Sequence, residues 1–206
     1  MVLQCIAIVS DLLEISLINR AEAQGITRSE ADSNDDRQGA IAVVQLVMIL
    51  VTGVVFLAWF RRAYRNLPAL GASQLRTKPG WAIGSWFVPL LNLVRPKQMA
   101  DDIWRASDPA APPQLTWVWH EQPVDLIVHL WWGAWLIGGF LSQLFIRLPR
   151  NTIDEIRRSA WLGLGSDVFA LIAAPLALVV VHAITQREHE RYAMLQKIPA
   201  SAPVPY

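Results

Sequence analysis

The stretch AIAVVQLVMILVTGVVFLAWF, residues 40–60, decides the fold of this chain. It contains no charged side chain, and Gln45 and Thr52 are its polar interruptions. A helix that spans a bilayer needs roughly 20 predominantly apolar residues, because the hydrocarbon layer is about 30 Å thick. Residues 40–60 therefore predict a transmembrane helix.

Three further stretches have the length and composition of spanning helices: residues 1–18, 126–146 and 161–183. The first contains Asp11 and Glu14 but has neither a basic start nor a small-residue cleavage site, so a spanning helix with one polar face is favoured over a signal peptide. Residues 81–94 are too short to cross and include Pro89, which indicates a re-entrant or interfacial segment. The predicted fold class is an all-α integral membrane bundle of four transmembrane helices, with residues 1–185 as the transmembrane domain and 186–206 as a cytoplasmic polar tail.

The composition of the whole chain agrees with a membrane location. Of its 206 residues, 53% are hydrophobic and 17% are charged, whereas soluble domains average about 25% charged. The net charge of +1 gives no general attraction to nucleic acid. A single cysteine, Cys5, excludes an intramolecular disulfide.

The distribution of basic residues predicts the orientation. With four spans, eight of the 18 Lys and Arg lie in residues 61–125 and three lie in the tail, against seven on the other side. Cytoplasmic loops carry the excess of Lys and Arg. Both termini are therefore predicted to lie in the cytoplasm, with the protein in the cell (cytoplasmic) membrane.

Polar side chains inside the spans form a candidate intramembrane cluster: Asp11, Glu14, Gln45, Gln143 and Asp167. The last four each lie a few residues inside the end of their span that is predicted to face away from the cytoplasm, and Asp11 lies on the same face of its helix as Glu14. Buried carboxylates are costly unless they are used or paired. One interpretation is a site that handles a cation or proton. The other is interhelical hydrogen bonding, with Arg20 or Arg147 neutralising the acids.

A second candidate polar cluster is predicted at the inner end of the spans and comprises Asn92, Asp125, His129 and His182. Asp125 and His129 are one helical turn apart, so the carboxylate could orient the imidazole or simply cap the helix. A third group, Arg61, Arg62 and Arg65, follows the second span. These arginines are candidate anchors to anionic lipid headgroups, and the alternative is that they only fix the orientation of the span.

No catalytic motif, no metal-ligand spacing and no cofactor motif accompanies these residues, so the sequence gives no reason to expect an enzyme, a metal or a cofactor. The third span presents polar residues on one face and Ala134, Gly138 and Ser142 on the opposite face. Small residues at this spacing let another helix approach closely.

Two longer motifs lie between the second and third spans. Residues 59–71 read WFRRAYRNLPALG and residues 79–96 read PGWAIGSWFVPLLNLVRP, followed by IWRAS at 103–107. Together they resemble the bacterial membrane family catalogued as domain of unknown function 4328, over about residues 23–187. Lys97 departs from that pattern, in which an aromatic residue is expected. The resemblance implies a multi-pass membrane protein and transfers no catalytic residue.

Two functions follow as expectations. The first is a non-enzymatic sensing, scaffolding or partner-binding module in the lipid bilayer, acting as a homo-oligomer or with another membrane partner. The alternative is a small transporter or channel component whose buried carboxylates handle a cation or proton.

Overall fold

The computed structural model describes residues 1–112, 119–120 and 122–197. Its regular structure consists of six α-helices: α1 (Val2–Gln24), α2 (Arg28–Asn66), α3 (Trp81–Gly84), α4 (Arg95–Ala106), α5 (Leu126–Arg147) and α6 (Ile153–Gln196). Short 3-10 turns cover Leu67–Leu70 and Leu91–Leu93. No strand is present in the part of the chain that the structure describes.

Helices α1, α2, α5 and α6 are long and apolar enough to cross a membrane. The predicted all-α fold with four spanning helices is therefore confirmed. The apolar stretches at residues 40–60 and 161–183 are the central parts of much longer helices of 39 and 44 residues. At 1.5 Å per residue, a helix of that length extends well beyond a bilayer.

The sequence contains two matches to a capping box, Thr27-x-x-Glu30 and Ser33-x-x-Asp36, and the second predicts that α2 starts after Ser33. The structure differs from this prediction. The helix begins at Arg28, directly after Thr27. The Glu30 backbone N–H donates to Thr27 Oγ1 at 3.2 Å, and the Thr27 backbone N–H donates to Glu30 Oε2 at 2.9 Å. This reciprocal pair is a capping box, and it satisfies backbone donors that a helix start leaves free. Of two similar sequence matches, the earlier one therefore sets the helix start.

Helix α6 begins in the same way. The Glu155 backbone N–H donates to Thr152 Oγ1 at 3.3 Å, and Glu155 Oε2 accepts from the Thr152 backbone N–H at 3.2 Å. The helix continues through Pro175 and runs to Gln196, so the first part of the predicted tail is helical. Residues 198–206 of that tail lie outside the described residues.

The chain divides into two compact units. The first comprises Met1–Thr52 and Leu130–Ala177, and the second comprises Gly53–His129 and Leu178–Tyr206. In the first unit, Ile15 and Ile18 of α1 form an apolar cluster with Ala160 of α6. Helices α5 and α6 approach closely at Gly138, where an added Cβ would lie 3.2 Å from the Phe169 Cβ. Ser166 Oγ also donates to the Gly138 carbonyl at 3.2 Å.

The second unit has an aromatic and aliphatic core. Phe60, Tyr64, Leu67, Met99 and Ile103 are among its fully buried side chains. Amphipathic α4 contributes the last two, which the sequence places on one side of that helix. The core fixes the ends of α2 and α6 in this unit against the connecting segment.

Residues 81–94 form short helical turns rather than one continuous helix. Leu90 has a φ of 65°, a left-handed conformation that a branched side chain rarely adopts. Phe87 is 71% exposed and Leu90 is 78% exposed. This segment therefore presents an apolar tip that the rest of the second unit does not cover.

Candidate functional site

Asp167 of α6 is held by amides from two other helices. Gln45 Nε2 of α2 lies 3.2 Å from both carboxylate oxygens, and Gln4 Nε2 of α1 lies 3.3 Å from Oδ1. Amide N–H groups donate to a carboxylate, which accepts only. The side chain of Asp167 therefore connects three apolar helices through hydrogen bonds within the first unit.

The two acids of α1 lie beside this centre. Gln38 Nε2 donates to Glu14 Oε2 at 2.6 Å. Asp11 is close enough to Asp167 for the two carboxyl groups to interact electrostatically. Asp11 Oδ2 is buried and has no hydrogen-bond partner among the described residues. All five residues predicted as an intramembrane cluster lie in the first unit. Four of them, on α1, α2 and α6, are half-buried near one another.

The cations near these acids differ from those expected. Arg20 pairs with Glu30, with Nη1 3.3 Å from Oε1. Arg37 and Arg150 instead act electrostatically on the Glu14 carboxyl group. Arg37 is fixed in turn by Ser10, whose hydroxyl oxygen accepts from the Arg37 Nε at 2.9 Å. The guanidinium groups near the acids therefore come from α2 and from the α5–α6 connection.

Gln143, the fifth residue of the predicted cluster, is exposed on α5. It makes no hydrogen bond with Asp11, Glu14 or Asp167. Gly139, one turn earlier, is also exposed, and nothing lies within 4 Å of a Cβ built on it. Phe140, between them, is 65% exposed. We call Gly139, Phe140 and Gln143 the open face of α5.

No hydrogen bond or ion pair joins the four residues of the predicted inner cluster to one another. Asp125 Oδ1 accepts a hydrogen bond from the Ile127 backbone N–H at 2.9 Å, which caps the start of α5. Asp125, His129 and His182 are exposed, and Asn92 is half-buried. No group of three or more potential metal ligands occurs among the described residues.

A buried ionic cluster outside the predicted spans was missed from the sequence. The Asp102 side chain of α4 is fully buried, with Oδ1 3.3 Å from Arg76 Nε and 3.7 Å from His120 Nδ1. Burial raises the pKa of Asp102 to about 7, against the opposing charge of Arg76. Asp102 lies on the same face of α4 as Met99 and Ile103, and an acid within an apolar stripe is the signal that could have identified it.

Arg191 of α6 was also missed. Its side chain is 1% exposed. The guanidinium donates to the backbone carbonyls of Leu70, Asp108, Ala111 and Pro112. A planar guanidinium with five donors suits this arrangement. The residue falls in the segment predicted as a polar tail, so its burial had no signal in the sequence pattern.

The predicted lipid anchors lie at the end of α2. Arg61, Arg62 and Arg65 are all exposed. Trp59, one turn before Arg62, is half-buried and its Nε1 donates to Thr185 Oγ1 of α6 at 3.2 Å. This bridge joins the two helices near the ends of their apolar stretches.

Comparison with known proteins gives one match. A family model described as "Domain of unknown function (DUF4328)" matches residues 22–186. No curated protein matches the chain. No solved structure matches it either.

Proposed function

The chain belongs to the DUF4328 family of proteins, and from that premise we propose that it is a non-enzymatic membrane module that works by binding a partner. Both sensing and scaffolding require the binding of a partner. The proposed partner is a second copy of the same chain, bound through the open face of α5. The observation that carries the proposal is the exposed amide of Gln143, which lies beside exposed apolar side chains of α5.

A polar side chain on the lipid-facing surface of a spanning helix is unfavourable unless another group satisfies it. Gln143 lies beside the exposed, apolar Phe140. Gly139 lies one turn away, with open space over it. A small residue next to a polar one is the combination that membrane helices use to associate, because it permits close approach and an interhelical hydrogen bond.

A second copy is a suitable occupant because the glutamine amide carries both a donor and an acceptor. Two such faces related by a twofold axis can satisfy each other, as symmetric dimers require. The arrangement adds no net charge to the bilayer interior. The proposal therefore needs no component beyond this chain.

The test is energy transfer between donor- and acceptor-labelled full-length chains in proteoliposomes. Gly139→Leu should weaken association by filling the open face, and Gln143→Leu should weaken it by removing the amide. Gly53→Leu is the matched control, since nothing lies within 4 Å of a Cβ at Gly53 either. Equal association of the wild type and the two α5 variants would refute the proposal.

The alternative function is a transporter or channel component for a cation or proton. It is supported by Asp11 Oδ2, a buried carboxylate oxygen with no hydrogen-bond partner, close to Asp167. Proton flux into liposomes separates the two functions. A flux that Asp167→Asn abolishes and that the exposed Asp32→Asn preserves would favour this alternative, whereas a partner-binding module should give no flux.

The proposed orientation in the membrane is based on the distribution of basic residues. We propose that the protein lies in a bacterial cytoplasmic membrane with both termini, and the polar tail from residue 186, in the cytoplasm. Arg61, Arg62 and Arg65 would then contact anionic headgroups of the inner leaflet. Reporter fusions at both termini test this orientation, and a periplasmic signal from either would contradict it.

A further inference from the structure

A pocket of about 410 Å³ lies between α2 and α6 within the second unit. Its lining includes Trp59, Arg62, Asn66, Thr185, Glu188 and Tyr192. It lies next to the ends of the apolar stretches of both helices, where tryptophan and tyrosine rings are favoured at the membrane surface. A pocket at this level of the two helices is accessible to a lipid headgroup if the apolar stretches span the bilayer.

The lining carries opposite charges that are not paired with each other. Arg62 and Glu188 interact electrostatically, but no ion pair within 4 Å joins them. The Asn66 side chain hydrogen-bonds to the Glu188 carboxyl group, but Glu188 Oε1 is buried and has no hydrogen-bond partner among the described residues. A buried carboxylate oxygen without a donor is unfavourable, so the pocket is complementary to a ligand that supplies one.

The anionic part of a ligand has its own partners in the pocket. Arg62 is exposed, and its guanidinium matches the geometry of a phosphate. His189 also contributes to the lining and offers a further polar group. One wall therefore suits a phosphate, and the carboxyl group of Glu188 suits a cation.

We propose that this pocket binds a phosphate ester that carries a primary ammonium group, the chemistry of the phosphatidylethanolamine headgroup. The ammonium N–H groups donate to Glu188, and the phosphate accepts from Arg62. A choline headgroup has no N–H to donate to Glu188. A glycerol headgroup brings hydroxyl donors but no positive charge, so it cannot form an ion pair with that carboxylate.

The experiment uses the full chain, delipidated in mild detergent, with phosphatidylethanolamine, phosphatidylcholine and phosphatidylglycerol of identical acyl chains. Bound lipid is counted by native mass spectrometry. Phosphatidylethanolamine should bind about tenfold more tightly than the other two, since a charge-assisted hydrogen bond distinguishes it. Comparable binding of phosphatidylglycerol would overturn the proposal in favour of simple anionic-lipid anchoring.

Two variants test the assigned roles. Glu188→Gln should remove the preference for phosphatidylethanolamine, and Arg62→Gln should weaken all three lipids. Glu190→Gln and Arg28→Gln are matched controls, because both residues are exposed and neither lines the pocket. An unchanged preference in Glu188→Gln, with unchanged thermal stability, would refute the site.

A competition arm distinguishes the source of the ligand. Soluble phosphoethanolamine that displaces the lipid at similar concentration identifies the free compound as the ligand, whereas failure to displace it identifies the lipid. The inference goes beyond the proposed self-association and is separable from it. Loss of lipid preference leaves energy transfer through α5 unaffected, and Gly139→Leu leaves lipid binding unaffected.

Discussion

Replacing Arg191 with methionine should strongly destabilise the second unit. The wild-type guanidinium donates to four backbone carbonyls, those of Leu70, Asp108, Ala111 and Pro112. Methionine has a similar length and flexibility but no donor. The substitution therefore removes the hydrogen bonds without leaving a large cavity.

The magnitude follows from the four acceptors that lose their donor. Each buried acceptor left unsatisfied costs about 1–3 kcal/mol. Part of this loss is offset, because the buried guanidinium no longer has to be desolvated. The expected net loss in the free energy of unfolding is about 3–5 kcal/mol. Arg191→Lys should lose less, because the ammonium keeps the charge and up to three donors but lacks the planar geometry.

Hydrogen exchange of the full chain in detergent measures the effect locally. The informative amides are those of Ala72 and Ala111, which donate to the carbonyls of Leu67 and Asp108 in the segments that Arg191 holds. Both should exchange faster in Arg191→Met than in the wild type. Arg65→Met, at an exposed arginine, should change neither amide. Unchanged exchange in Arg191→Met would refute the claim that this guanidinium fixes the two segments.

Two further predictions concern Asp102 and the start of α2. Burial raises the pKa of Asp102 to about 7 in the folded protein, whereas the pKa of an unfolded aspartate is about 3.9. The free energy of unfolding should therefore fall by up to roughly 4 kcal/mol as the pH rises from about 4 to 7. If the thermal midpoint of Asp102→Asn fell with pH as steeply as that of the wild type, the prediction would be contradicted. Thr27→Ala should lower the free energy of unfolding by about 1 kcal/mol and speed hydrogen exchange in the first turn of α2. Ser33→Ala, inside the helix, should do neither. The opposite result would show that the helix starts at the capping box of Ser33.

The spanning helices were predictable because length and apolar composition decide them. Residues 126–146 match α5 to within one residue. The ends of α2 and α6 were not predictable from hydropathy, since polar residues continue both helices beyond the apolar stretch. The capping box at Thr27 and Glu30 was visible in the sequence, but a second match at Ser33 competed with it. Only the three-dimensional contacts distinguish the two.

The positions of the polar residues were also predictable only in part. The distance from the ends of the apolar stretches placed Glu14, Gln45 and Asp167 at a similar depth, and helical periodicity placed Asp11 on the same face as Glu14. The partner amides of Gln4 and Gln38 depend on the rotation of each helix about its axis. The sequence pattern could not show which distant residues the buried charges contact. Asp102 meets Arg76 and Arg191 meets Leu70 only because the second unit folds back on itself.

Cysteine cross-linking in membranes tests self-association through α5 most directly. Cys5 is the only cysteine in the sequence, so Cys5→Ser provides a clean background. Phe140→Cys places a thiol on the open face, and Val54→Cys places one at a similarly exposed position of α2, where Val54 is 67% exposed. The account predicts a covalent dimer for Phe140→Cys and a monomer for Val54→Cys after mild oxidation. A monomer for Phe140→Cys, or equal cross-linking of both, would contradict it.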